Sequence, residues 1–185
     1  MGGQGDNRCM ATLAANPLLS VEEYLRTTYR PDRDYVDGVI EERNLGEWEH
    51  SQIQSRILKL IARYEEDWGV DSMVECRLQV SIQRYRVPDV MILPRAQRVD
   101  RIVREAPLVC IEVLSPADAW TKIRARLNDY LAMGVKHVWC FDPDSKEVRR
   151  YRESGFEVVK EPVLEVAGTP IRLVLGEIFS VLDPR

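Results

Sequence analysis

Two short apolar runs constrain this chain more than any other feature: Val-Met-Ile-Leu at 90–93 and Leu-Val-Cys-Ile-Glu-Val-Leu at 108–114. Both are nearly continuous and have no polar face, so they read as strands buried on both sides of a sheet. A third run, KHVWCFDP at 136–143, has the same character. Such strands need helices to cover them, and the sequence supplies two. From about Glu49 to Trp68, Ile53, Ile57, Leu60, Ile61 and Tyr64 recur at helical spacing, and Gly69 is a natural stop. From about Ala117 to Met133, Ile123, Leu127, Tyr130 and Leu131 share one side, and Gly134 ends the pattern. Strand, helix and strand in that order predict a parallel pair joined by a right-handed crossover.

The remaining segments fill in a mixed fold. Ser20 and Glu23 form a capping box at the start of VEEYLRTTY. Asp37-Gly38 lies between apolar residues, a signal for a hairpin turn. In residues 70–83, Val74, Cys76, Leu78, Val80 and Ile82 alternate with Glu75, Arg77, Gln79, Ser81 and Gln83. That period of two predicts one strand with a wet face. Residues 95–105 read as a polar connection. EVRRYRE, GFEVVK and IRLVL predict an antiparallel meander, and GEIFSVL a closing helix. Residues 1–16 show no period and are expected to be disordered. The expectation is therefore one α/β (α+β) domain over 17–185, with a central mixed β-sheet flanked by helices.

Composition removes several function classes. No stretch approaches the roughly 20 apolar residues needed to span a bilayer, and the first residues lack the basic and apolar regions of a signal peptide. A cytoplasmic protein without a membrane partner is the expectation. Cys9, Cys76, Cys110 and Cys140 are scattered, with no CxxC pair, which argues for reduced thiols and against a zinc ribbon. No GxSxG occurs, and His137 falls within a strand pattern, so a serine or cysteine hydrolase finds no support. The net charge of −4 is unlike that of a strongly basic DNA binder. Its distribution matters more. Arg84, Arg86, Arg95, Arg98, Arg101 and Arg104 crowd one stretch, and Lys122, Arg124 and Arg126 another.

Asp89 and Glu112 stand out because each interrupts a buried apolar strand. A carboxylate there costs several kcal/mol, roughly, unless it is ion-paired or binds a metal. Strands that are neighbours lie about 4.8 Å apart, close enough for both carboxylates to hold one ion. Oxygen ligands without a soft ligand point to Mg²⁺ or Mn²⁺ rather than zinc.

PDV at 88–90 followed by Glu112 in an apolar strand resembles the PD-(D/E)XK nuclease pattern. The ordered set sharpens the likeness: DGVIEER, His50 opening a helix, RVPDV, IEVLSP and YLAMGVKHVWCFDP. Across residues 18–182 the chain resembles a large bacterial family of restriction-endonuclease-like proteins. That resemblance implies a restriction-endonuclease-like core and Mg²⁺-dependent hydrolysis of phosphodiester bonds in DNA. It makes Asp89 and Glu112 metal ligands, with Glu41 or Glu42 completing the site. Strand alternation lets only one of those two point inward, and Glu41 is preferred. His50 and Arg86 are the candidate phosphate contacts. The superfamily's lysine position holds Leu114, and in the resembled family the lysine moves to the following helix. Arg126 takes that place here, with Lys122 one turn earlier on the same face. Either could stand in, though arginine is the poorer proton acceptor. Leu114 and Arg126 also leave open a second reading, an inactive nuclease fold that binds nucleic acid or protein. A homodimer would suit an enzyme that cuts both strands.

Overall fold

The computed structural model describes residues 18–183 except Leu45 and Arg98, so the expectation for 1–16 lies outside the described residues. Helix α1 (Val21–Arg26) starts as the capping box requires, with the Ser20 side chain accepting from the Glu23 N–H at 3.2 Å. The hairpin follows: β1 (Asp34–Val36) and β2 (Val39–Glu41) turn through Asp37 and Gly38, both at positive φ. The helix expected over 49–68 is two pieces, α2 (Trp48–Ala62) and the short α3 (Glu65–Trp68). The break falls where Glu65 turns its carboxylate to the backbone N–H of Ser72, at 2.8 Å.

The single strand expected over 70–83 is also two. β3 (Val70–Val74) and β4 (Leu78–Ser81) belong to different sheets. Between them Glu75 takes positive φ. Arg77 folds inward over the Tyr24 ring and donates to the Thr27 carbonyl and to Asp32. The alternation thus runs across a corner, and Val74 and Ile82 are left exposed. Next come β5 (Arg84–Arg86), β6 (Val90–Pro94), β7 (Val109–Val113), α4 (Trp120–Met133), β8 (His137–Asp142), β9 (Glu147–Arg152) and β10 (Gly155–Val158). Residues 95–105 are not merely a polar connection. Ile102 and Val103 are buried, and Val103 bridges to Leu78. β11 (Val163–Glu165) and β12 (Arg172–Val174) pair with each other in a separate ribbon, so the expected meander ends at β10. Helix α5 (Leu175–Phe179) and a 3-10 turn follow.

The central sheet has the order β10-β9-β8-β7-β6-β3. Only β7 and β8 run parallel, as the strand–helix–strand order requires, and every other neighbouring pair is antiparallel. Alternation splits its side chains between two cores. Val90, Ile92, Ile111, Trp139 and Phe141 pack with α2 and α5. Met91, Leu93, Cys110, Val138 and Cys140 pack with Ile123, Leu127 and Tyr130 of α4. Each of these buried aliphatics contributes about 1.5–3 kcal/mol. A second sheet, β2-β1-β5-β4, lies where Tyr24, Tyr35 and Tyr85 cluster. The fold is thus α+β, with a mixed sheet between helices. Among the described residues no helix is long and apolar enough to cross a membrane.

Candidate active site

β6 and β7 pair antiparallel with Val90 opposite Ile111, so extending the register by one residue sets Asp89 against Glu112. Alternation sends both toward α4: Asp89 has the parity of Met91 and Leu93, and Glu112 that of Cys110. Their exposures are 2% and 1%. Two carboxylates so deeply placed need compensation, and each has it.

Asp89 Oδ2 accepts from the Val113 N–H at 2.7 Å and lies 3.4 Å from His50 Nε2. Asp89 Oδ1 accepts from Arg43 Nη2 at 2.5 Å, and the same nitrogen lies 3.6 Å from Glu112 Oε2. Glu112 Oε1 accepts from the Tyr130 hydroxyl at 2.5 Å, and Oε2 from Arg126 Nη1 at 2.7 Å. Arg126 and Tyr130 stand four residues apart on α4, which puts both on one face. Arg126 also reaches Asp34 Oδ2 through Nε, at 3.1 Å. Asp34 is fully buried and in turn accepts from Arg86 and from the Val87 N–H.

Burial pushes the Asp89 carboxyl up, but Arg43, His50 and the Val113 N–H outweigh it and hold it below its ordinary range. Glu112 goes the other way. Burial, reinforced by the charge of Asp89, lifts it above its ordinary range despite Arg126, Arg43 and Tyr130. Environments that push paired carboxylates apart are common where acid and base roles divide. Burial lowers His50, yet its bond to Asp89 wins and raises it. Burial and Glu112 keep the Tyr130 hydroxyl protonated as a donor.

The sequence candidates are distributed as follows. Asp89, Glu112, Arg126 and His50 come together. Lys122 is exposed on α4 and makes no side-chain hydrogen bond or ion pair among the described residues. Leu114 is buried in the core beneath α4. Glu41, half-buried, faces Arg86 Nη1 at 2.7 Å, while Glu42 is exposed and pairs with Arg33. Arg86 itself is buried and engaged with Asp34, Glu41 and Asp129, so its guanidinium faces carboxylates rather than an open surface. Arg84 and Arg95 are likewise paired with aspartates. Arg43, Asp34 and Tyr130 are site residues that the sequence does not flag. Tyr130 had a signal, its place four residues after Arg126, but reads first as core. A cleft of about 190 Å³ lined by Asp32, Asn44, Ser51, Gln54 and Glu75 opens beside Arg43, His50 and Asp89.

The donor set suits a hard cation. Asp89 and Glu112 both reach one cationic nitrogen, so their oxygens converge. Burial, with Glu112 nearby, lifts the Cys110 and Cys140 thiols far above their usual range, so neither supplies a thiolate. Among the described residues no group of three or more His, Cys, Asp or Glu forms a ready cage. An ion held here by these two carboxylates would have to keep several waters, which Mg²⁺ does readily.

Comparison with known proteins identifies the fold and the family. A solved structure described as "a putative nuclease belonging to DUF820 from Anabaena variabilis ATCC 29413" matches with a TM-score of 0.76 and 26% identity. The match covers 88% of this chain and 98% of that one. No curated protein matches the chain. The family model for Uma2, described as "putative restriction endonuclease", matches residues 21–179, and the chain therefore belongs to the Uma2 family.

Proposed function

We propose that this protein is a divalent-metal-dependent endonuclease that hydrolyses phosphodiester bonds in DNA. The observation that carries the reading is the convergence of two buried carboxylates, Asp89 and Glu112, on one cationic position, with Arg43 Nη2 at 2.5 and 3.6 Å. Asp89 and Glu112 would hold Mg²⁺ or Mn²⁺. Glu41 would join them only by leaving Arg86. A bound ion of this class lowers the pKa of a water and polarises a phosphoryl oxygen.

The chain's own residues do the rest. Arg126, fixed by Glu112 and Asp34, places a permanent positive charge beside the ligand pair, where charge builds on the phosphate. It cannot take a proton at neutral pH, so it stabilises rather than abstracts. His50 holds Asp89 from the cleft side and would meet a phosphate arriving there. Cutting both strands of a duplex takes two sites or two events, and a homodimer supplies two.

The test is cleavage of DNA with Mg²⁺, with Mn²⁺ and with a chelator. Cleavage should need the metal, and Asp89→Ala or Glu112→Ala should abolish it. Arg126→Ala should slow cleavage far more than Lys122→Ala. A folded wild type that binds DNA but cuts it with neither metal would sink the enzyme reading. The alternative would then stand, a nuclease fold that only binds, which Leu114 in the usual lysine position favours.

A further inference from the structure

We propose that Arg43 is a built-in cation that closes the Asp89–Glu112 pair and is exchanged for the divalent ion when the site loads. The inference rests on the metal-site reading above. Arg43 lies between β2 and α2, and its Nη2 spans both carboxylates, at 2.5 Å from Asp89 and 3.6 Å from Glu112. That is the position of a bridging cation.

Charge decides which partner can stay. Asp89 and Glu112 face Arg43 and Arg126, and Arg126 also serves Asp34. A dication added beside Arg43 would meet a like charge at the position both carboxylates share, which is strongly unfavourable in a buried site of low effective dielectric. A dication in place of Arg43 takes over both carboxylate contacts and adds one positive charge. A phosphodiester brings one negative charge that offsets it.

Of the two arginines, Arg43 is the one fitted to leave. Arg126 is anchored from outside the pair by Asp34, at 3.1 Å. Arg43 has no such second anchor: its Nη1 is buried without a hydrogen-bond partner among the described residues. Arg43 also lines the cleft beside Asp89, which gives its side chain a route out. Withdrawn into that cleft, its guanidinium stands where a phosphate would approach.

The experiment is calorimetric titration of the full chain with Mn²⁺ alone, in wild type, Arg43→Gln, Arg43→Lys and Glu112→Gln. Arg43→Gln should bind Mn²⁺ roughly tenfold or more tighter than wild type, because the competing charge is gone. Arg43→Lys keeps the charge and should stay near wild type. Glu112→Gln should lose the site. In thermal melts the metal-free Arg43→Gln protein should be the less stable, and Mn²⁺ should raise its Tm more than that of wild type. If wild type binds Mn²⁺ through Glu112 and Arg43→Gln binds no tighter, the exchange is overturned while the metal site stands. If no folded variant, wild type included, binds Mn²⁺ through Glu112, the metal site and the exchange both fall. Should Arg43→Gln not fold without metal, Arg43→Met refolded in Mn²⁺ gives the same comparison by back-titration with a chelator.

Discussion

Arg126 serves two buried carboxylates that lie far apart in the chain, Glu112 and Asp34. Its removal would strand both, and breaking a buried pair costs about 3–5 kcal/mol. Arg126→Ala should lower the unfolding free energy by that amount in urea titration of the metal-free protein. Tyr130→Phe removes one donor to Glu112 and leaves the packing, so about 1–3 kcal/mol is expected. Equal losses from the two variants would contradict the double engagement of Arg126. Asp89 and Glu112 were legible in the sequence because a charge inside an apolar run has few explanations. Arg43 and Asp34 were not. Each sits among polar neighbours, and their partners are remote: Arg43 meets Asp89 across 46 positions, and Arg126 meets Asp34 across 92. Nothing local marks either one. Arg86 misled for the same reason. A basic residue in a basic stretch reads as surface, while its three carboxylate partners come from other elements.

At the scale of elements, period and capping located the helices, the first hairpin and the parallel pair. The failures share one cause. An alternating pattern records which residues face inward, not whether the chain keeps its direction, so the corner at Glu75–Arg77 was invisible. The ribbon of β11 and β12 was equally hidden, because pairing partners leave no local trace. α4 starts at Trp120 rather than near Ala117 because the preceding loop folds on itself, with the Ser115 N–H donating to Asp118 Oδ2 at 2.8 Å. The first hairpin carries Asp34 and Glu41 to Arg86, so its turn matters to the site. Gly38 has φ of +93°, and a Cβ there would lie 2.8 Å from Leu18 Cβ. Gly38→Ala should therefore destabilise the protein by about 1–3 kcal/mol, measured by chemical denaturation. An unchanged midpoint would mean that the turn relaxes without strain.

Across the whole molecule, ion pairs tie neighbouring elements together and set the response to acid. Asp142 at the end of β8 accepts from Arg149 of β9 at 2.9 Å and from the N–H groups of Asp144 and Ser145. Burial pushes its carboxyl up, but the bonds from Arg149 and Ser145 prevail and hold it below the ordinary range. A depressed carboxyl lends stability above its unfolded value, about 4, and loses it as pH falls through the folded one. Asp142→Asn should thus be the less stable protein at neutral pH. The gap to wild type should close as pH drops below about 4, read from melting temperatures across a pH series. A gap constant with pH would show that the charge of Asp142 is not what stabilises that corner. The two larger sheets meet along a different path. The run from Arg84 to Pro94 supplies β5 to one and β6 to the other, with Val87, Pro88 and Asp89 as the passage between them. In any rotation of one sheet against the other, atoms move in proportion to their distance from the axle. Asp89 sits on that axle and would stay nearly still, and so would Asp34, held by the Val87 N–H at 2.9 Å, while the turn at Asp37 and Gly38 would swing through a wider arc. The Asp89–Glu112 pair and the buried anchor Asp34 thus lie in the mechanically quiet part of the molecule, and the tip of the first hairpin is the part that such a rotation would carry furthest.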